Sequence, residues 1–335
     1  MHLGAPHRSL PAPVADHAPD FRDEEIAGYL ARAARPHPGA RPAPQSAEAI
    51  VSAVYDALTH RRFSALSREG ARRYREAVAG VLAGFVRRGQ PLEFWLDIGP
   101  GYRASLRPGV APLGFEVGLG ELLMLTQVSA FLRHVAALYP PGARFRLVVD
   151  NLCGLRTNDV ALERTIGYCD GLRRLIGEMD LAGEARPFVE SEEFSLAEYD
   201  ALLEHVKAPA LQATQAEVDN VARFLGWRCN AQEAMERMRL YRRTGATTEL
   251  LLGRVVAGVR LTQRAAPVTL GFRSFPGGDA RIQCGEIALG RRPDGRVASF
   301  LLTSRNVDLY DCARRSAPPG FPSTVKHVTV ASRIV

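Results

Sequence analysis

The stretch ARFRLVVD, residues 143–150, is an apolar run of strand length that follows a Pro-Pro-Gly turn signal and ends in an aspartate. A long amphipathic helix pattern (117–139) and a second strand-like run (91–98) come before it. A helix pattern (159–180) and a third strand-like run (185–191) come after it. Strands that alternate with helices at these spacings predict βαβ units and a parallel sheet. Ligands of such sheets bind at the carboxyl ends of the strands.

The whole chain therefore predicts an α/β protein with a Rossmann-like, mostly parallel sheet, a helical N-terminal lead-in and a β-rich C-terminal portion. Residues 1–45 are rich in Pro and Ala, and we expect them to be a disordered lead apart from a short helix capped by Asp20. Residues 46–245 are predicted to form the α/β core domain with its helical segments. Residues 246–335 change to short β-type runs separated by turn signals.

Composition and charge indicate which kinds of partner the protein could bind. The 43 basic and 36 acidic residues give a net charge of +7, but the basic residues are nearly all Arg and are spread along the chain. This distribution argues against a nucleic-acid interface and is only a weak indication of a phosphate-bearing substrate. The five cysteines are scattered and no run of 18 apolar residues occurs, so we expect no disulfide framework, no metal site and no membrane partner. Reduced thiols predict a cytoplasmic protein.

The segment GPGYRASLRPG, residues 99–109, follows the first predicted strand. Its glycines permit close approach of a ligand to the backbone. Arg103 and Arg107 can bind a carboxylate or phosphate in a bidentate manner, and Ser105 adds a hydroxyl, with Tyr102 beside them. The segment is interpreted as a binding site for the anionic groups of a substrate, and the alternative is a turn that carries surface arginines.

Four further charged residues are candidates for a role in the site or in the fold. Asp150 is the first candidate catalytic group, because a carboxylate at the end of a parallel strand faces the ligand crevice. Arg156 is a candidate substrate-binding residue, whereas Asp159 is interpreted as the cap of the helix that follows it. Glu121 lies in an apolar helix face, where a buried carboxylate needs a partner such as an arginine of the segment 99–109.

The order of these motifs resembles the pyoverdine/dityrosine biosynthesis family, which includes the isocyanide (isonitrile) synthases. RASLRP, then the helix pattern with Glu121, then LYPPGARFRLVVDN and TNDVALERTIGYCDGL carry the resemblance, which covers about residues 90–200. Arg103 and Ser105 match the family's Lys-Ser pair, Glu121 matches its helix-start acid and Asp150 its strand-end acid. Two departures are Arg103 in place of the lysine and Asn151 in place of a glycine.

The resemblance implies an isocyanide synthase-like transferase or lyase of secondary metabolism. Such an enzyme condenses the amine of a tyrosine- or tryptophan-like amino acid with ribulose 5-phosphate as co-substrate, without a cofactor or a metal. Asp150, Glu121 and Arg103 would be its catalytic residues, and an iron/2-oxoglutarate oxygenase of the same pathway would be a partner. The alternative is a non-catalytic or altered-substrate paralogue that binds a small anionic ligand or a partner enzyme.

Overall fold

The computed structural model describes residues 21–34, 46–60, 63, 67–98, 116–207, 213–224, 229–262, 273–276, 287–292, 294–301 and 310–334. The helices in these ranges are α1 (Asp23–Ala33), α2 (Ala47–Thr59), α3 (Arg68–Arg87), α4 (Leu119–Leu138), α5 (Asn151–Asn158), α6 (Leu162–Glu178), α7 (Glu190–Glu193), α8 (Leu196–His205), α9 (Gln215–Phe224) and α10 (Ala231–Leu252). The strands are β1 (Leu92–Ile98), β2 (Ala143–Val149), β3 (Ala185–Val189), β4 (Val259–Thr262), β5 (Arg273–Pro276), β6 (Ile287–Arg291), β7 (Val297–Leu301), β8 (Tyr310–Ser316) and β9 (His327–Ile334).

The first sheet contains five parallel strands in the order β3-β2-β1-β4-β5. Its centre is β1, which pairs with β2 on one side and with β4 on the other, so the strand order reverses between β1 and β4. This is the order of the doubly wound α/β folds, whose ligands bind where the order reverses. The predicted α/β class and the parallel sheet are confirmed.

Helices cover both faces of this sheet because its strands are apolar on both sides. Phe94, Leu96 and Ile98 of β1 belong to one core cluster, which includes apolar residues of α2, α3, α4 and α6. Trp95 of the same strand belongs to a second cluster with residues of α5, α8 and α10, among them Tyr199. Alternate side chains of β1 therefore enter two different helical layers, as expected of a buried parallel strand.

The second sheet has the order β7-β6-β9-β8 and mixes parallel and antiparallel pairs. Helix α1 packs on it: Ile26 is fully buried in a cluster with Leu289, Val328 and Val330. The Tyr29 hydroxyl also lies 2.6 Å from the Ser299 hydroxyl oxygen. Residues 21–34 thus contain the short helix predicted within the lead, which buries its apolar face on this sheet. Its N-cap is Arg22 and not the predicted Asp20, because the helix begins at Asp23.

Two features bear on the predicted division of the chain. Residue 245, the predicted end of the core portion, lies inside α10, and both β4 and β5 from the C-terminal portion pair in the first sheet. Residues 1–20, with Asp20, and residues 35–45 lie outside the described residues.

None of the helices in the described part of the chain has the length and apolar character needed to cross a membrane.

The junction of β1 and β4 depends on a glycine. A Cβ atom at Gly258 would lie 2.1 Å from the carbonyl oxygen of Glu93, whereas a Cβ at the exposed Gly167 in α6 would meet nothing within 4 Å. We expect Gly258→Ala to lower the free energy of unfolding by about 1–3 kcal/mol, because the two strands must separate. Gly167→Ala is the control and should raise it by up to about 1 kcal/mol through helix propensity. Urea denaturation measures both, and equal stability of Gly258→Ala and the wild type would refute the close approach.

Candidate functional site

Acidic side chains gather at the carboxyl ends of neighbouring strands in the first sheet. Asp97 is the penultimate residue of β1, Asp150 follows β2 directly and Glu190 follows β3 directly. The register pairs Val149 with Val189, so Asp150 and Glu190 leave adjacent strands at the same level. This edge of the sheet is where parallel α/β proteins place their ligands.

A buried arginine binds two of the acidic groups at the point where the strand order reverses. Arg260 of β4 donates from Nε and Nη2 to the two carboxylate oxygens of Asp97, at 2.9 and 2.8 Å. Its Nη1 donates to Oε2 of Glu249 on α10. The Arg260 side chain is only 4% exposed, so the three groups form an ion-pair network inside the protein. Such a network holds β1, β4 and α10 together through charge-assisted hydrogen bonds.

Burial makes this network sensitive to protonation. Burial raises the pKa of the Glu249 carboxyl to about 7, an effect that Arg260 opposes and the charge of Asp97 reinforces. Burial also raises the pKa of Asp97, again against the influence of Arg260. Burial alone would lower the pKa of Arg260, but the two carboxylates raise it. One permanently charged guanidinium therefore faces two carboxyl groups, and Glu249 is a group that can exchange a proton near neutral pH.

Glu190 is fully buried at the end of β3. Its Oε2 accepts the backbone N–H groups of Leu152 and Cys153 in the first turn of α5, at 3.0 and 3.4 Å. Its Oε1 makes no hydrogen bond of normal geometry with any residue that the structure describes. Burial raises the pKa of Glu190 to about 8; the Asp150 charge adds to this shift, and the Thr248 hydroxyl and the two N–H groups oppose it.

Asn151 ties the two strand ends to each other. It is fully buried, its Nδ2 donates to the Ser191 hydroxyl at 2.7 Å, and its Oδ1 accepts the Ser191 N–H at 3.0 Å. Nδ2 also lies 3.3 Å from the Thr165 hydroxyl of α6. Asn151 therefore fixes α5 against α7 and so fixes Asp150 relative to Glu190.

The structure places two of the predicted catalytic residues. Asp150 occupies the N-cap position of α5, where its side chain makes no cap hydrogen bond because Glu190 accepts those N–H groups instead. It is partly exposed, unlike Glu190. Glu121 is buried in the first turn of α4, where Oε2 accepts the Gly118 N–H at 2.8 Å and Oε1 accepts the Tyr168 hydroxyl at 3.1 Å. Glu121 therefore caps its own helix, and a catalytic role for either residue stays a prediction.

The structure also describes Arg156 and Asp159, two other residues that were given a predicted role. Arg156 binds both carboxylate oxygens of Asp200, with its Nε 2.7 Å from Oδ1, so its role toward a substrate stays a prediction. Asp159 is the left-handed C-cap of α5, with φ 53°, and not the N-cap of α6, which is Ala161. That interpretation was wrong, because α5 ends one residue before Asp159.

The predicted anion-binding segment, with Tyr102, Arg103, Ser105 and Arg107, lies outside the described residues, and its role remains a prediction. The sequence interpretation did not assign a role to four residues that the structure brings together: Asp97, Glu190, Glu249 and Arg260. The signal that selected Asp150, a carboxylate at a strand end, applies equally to Asp97 and Glu190. No sequence signal marks Glu249 or Arg260, since their partners are distant in the chain.

Two further kinds of chemistry are constrained by the geometry. The Cys153 thiol is buried and lies 3.3 Å from the Thr244 hydroxyl, and burial raises its pKa, which makes it a poor nucleophile. Among the described residues, no group of three or more His, Cys, Asp or Glu side chains is arranged to hold a metal ion. The carboxyl groups of the described site are of the kind that transfers protons to and from a bound molecule.

We expect Arg260→Met to lower the free energy of unfolding by about 3–5 kcal/mol, because it leaves buried Glu249 and partly buried Asp97 without their cation. Arg254→Met is a matched control. Arg254 pairs with Glu198 on the surface at 2.6 Å, and its loss should cost less than about 1 kcal/mol. Denaturant unfolding at neutral pH measures both variants. Equal losses would show that the Arg260 network does not stabilise the sheet.

Comparison with known proteins bears on the fold. No protein-family model matches the sequence, and no curated protein gives a significant match. The structure is similar to that of the PvcA protein from Pseudomonas aeruginosa, with a TM-score of 0.58 and 17% sequence identity over 83% of this chain and 99% of that chain.

Two aminoacyl-tRNA synthetases are less similar to this chain. A tyrosyl-tRNA synthetase from Archaeoglobus fulgidus has a TM-score of 0.35 at 9% identity, over 63% of this chain and 54% of that chain. A tryptophanyl-tRNA synthetase from Giardia lamblia has a TM-score of 0.24 at 13% identity, over 59% and 49%. These scores are too low to indicate a shared fold. The chain thus shares the α/β fold of PvcA.

Proposed function

We propose that this chain is an isonitrile synthase-like enzyme of natural-product biosynthesis. It condenses the amine of a tyrosine- or tryptophan-like amino acid with a sugar phosphate such as ribulose 5-phosphate. The observation that carries the proposal is the group of carboxyl side chains at the carboxyl edge of the parallel sheet, where partly exposed Asp150 lies beside buried Glu190. The shared fold with PvcA and the sequence resemblance support it.

The acidic site suits the substrate amine. An amino acid arrives as an ammonium cation, which buried and partly buried carboxylates attract. The ammonium must lose a proton before its nitrogen can attack the carbonyl carbon of the sugar, and the carbonyl oxygen must gain protons before it leaves as water. A carboxyl group at the edge of the site can do both in turn. Asp150 is the residue we assign to this proton transfer, because its neighbour Glu190 is fully buried.

The phosphate and carboxylate of the substrates need cations. We assign Arg103 and Arg107, with Ser105 and Tyr102, to these anions, because the segment follows the end of β1 directly in the chain. Arginine in place of the family's lysine keeps the positive charge and adds bidentate hydrogen bonding, but it cannot form a Schiff base. In this account the amine of the amino acid, and not an enzyme lysine, forms the bond to the sugar. The cytoplasmic location and an oxygenase partner stay predictions.

Incubation of the purified protein with tyrosine or tryptophan and ribulose 5-phosphate, followed by mass spectrometry, tests the proposed reaction. We expect a new product, and Asp150→Asn should lower its rate about 100-fold or more, the usual contribution of a general acid–base. Asp159→Asn is the control, since Asp159 is an exposed carboxylate whose left-handed backbone an asparagine also adopts. If ligands bind but no amino acid gives a product, the chain is a non-catalytic paralogue.

Arg103→Ala tests the assignment of the anion-binding segment. We expect the KM for ribulose 5-phosphate to rise about 10-fold or more, because a hydrogen bond to a charged group contributes about 1.5–3 kcal/mol. Steady-state kinetics with the sugar phosphate varied gives the value. Arg254→Ala, which removes a surface arginine on another part of the chain, should leave this KM unchanged. An unchanged KM in Arg103→Ala would place the phosphate elsewhere.

A further inference from the structure

We propose that Asp150 and Glu190 form one carboxyl pair that holds a single proton between them. Asp150 meets the substrate, and Glu190 is a positioning residue that carries the shared proton and keeps Asp150 ionised. The role of Asp150 toward a substrate rests on the proposed function, but the shared proton does not.

The backbone places the two groups side by side. β2 and β3 are parallel neighbours, and Val149 is paired with Val189 at their carboxyl ends. The next residue of each strand is the acidic one, and adjacent strands lie about 4.8 Å apart. The hydrogen bonds between Asn151 and Ser191 fix the residues that follow, so both backbones turn into their helices together.

The hydrogen bonds of Glu190 indicate which oxygen holds the proton. Its Oε2 accepts two backbone N–H groups, those of Leu152 and Cys153, and so has its donors. Its Oε1 is buried and makes no hydrogen bond of normal geometry with any of the described residues. The Thr248 hydroxyl is close enough to Glu190 to lower its pKa but makes no well-aligned hydrogen bond to Oε1. A buried carboxylate oxygen without a well-aligned donor is costly, whereas a neutral carboxyl group carries its own O–H at that position. Glu190 is therefore best satisfied as a neutral acid.

The surroundings of Glu190 favour the same assignment. Among the described residues, the side chains that act on Glu190 are the Asp150 carboxyl and the Thr248 hydroxyl of α10, with the Cys153 thiol of α5 and the Tyr199 hydroxyl of α8 close by. The charge of Asp150 also reaches Glu249, whose own cation is Arg260. Two carboxylates this close cannot both ionise without repulsion, and the buried one takes the proton. Asp150, which is partly exposed to water, then retains the single negative charge of the pair.

The pair has a defined proton balance. At rest it holds one proton on Glu190 and one negative charge on Asp150. When Asp150 takes a proton from the substrate ammonium, the pair becomes neutral with two protons, and it returns to the resting state when Asp150 gives that proton to the leaving oxygen. At alkaline pH Glu190 loses its proton and both groups are charged. A proton that Asp150 then takes from the substrate is held more tightly because of the neighbouring charge, so Asp150 gives it to the leaving oxygen less readily.

Infrared spectroscopy tests the shared proton without any need for turnover. In the full-length protein at neutral pH we expect a carbonyl band of a neutral carboxylic acid that is lost in Glu190→Gln. Glu249, whose pKa burial raises to about 7, can add a band of its own, which Glu249→Gln identifies. Glutamine matches the size of the neutral acid and can keep both N–H contacts. Glu193→Gln, which changes an exposed carboxylate of the same short helix, should retain the band. If Glu190→Gln removes no carboxylic acid band from the wild-type spectrum, the pairing is overturned.

Asp150→Asn provides a second test that does not rely on the Glu190 variant. Removing the neighbouring charge should move the pH at which the Glu190 band disappears to a lower value, because repulsion no longer favours the proton. An unchanged midpoint would contradict the coupling of the two groups.

The pH profile of the reaction connects the pair to function. Burial raises the pKa of Glu190 to about 8, so kcat/KM of the wild type should fall tenfold per pH unit above that value. Glu190→Gln should lack this alkaline limb while Glu193→Gln keeps it. If the infrared result holds and no product forms, the proposed function fails and the pair remains. If the product forms and the limb is the same in Glu190→Gln, Glu190 is not the positioning residue.

Discussion

The buried guanidinium of Arg260 is the interaction on which the rest of this site depends. It joins the central strand to β4 through Asp97 and to helix α10 through Glu249, at the point where the strand order reverses. Each carboxylate would be costly to bury alone, and a single cation serves both. The network therefore allows Asp97 and Glu249 to carry charge near the carboxyl edge of an otherwise apolar sheet. Glu190 is stabilised differently, through the backbone N–H groups of Leu152 and Cys153.

Asp150 and Glu190, the two neighbouring carboxyl groups at the ends of β2 and β3, have different roles. Glu190 accepts the N–H groups at the start of α5, a task that normally falls to the N-cap residue, here Asp150. Glu190 thus stabilises the start of α5, and the partly exposed Asp150 is the residue that we assign to the substrate. Glu121, in the first turn of α4, instead accepts hydrogen bonds from the N-cap residue of its own helix, Gly118, and from the Tyr168 hydroxyl of α6.

Alternating apolar runs and helix patterns were sufficient to predict the parallel sheet, because each βαβ unit is encoded locally. Asp150 could be selected because it ends a strand in the sequence. Arg260 and Glu249 could not, because β4 reaches β1 only through a pairing between residues far apart in the chain. Asp159 was misassigned since a short helix, α5, lies between β2 and α6 and ends just before it. The ordered part of the lead, α1, could be recognised as a helix but not as a partner of the second sheet.

A crystal structure with an aromatic amino acid and ribulose 5-phosphate bound tests the account most directly. We predict that the amino group of the amino acid lies within hydrogen-bonding distance of Asp150 at the carboxyl edge of the first sheet. We predict that the sugar phosphate binds the arginines of residues 99–109. An amino group bound away from the ends of β1, β2 and β3 would contradict the assignment of this edge as the active site.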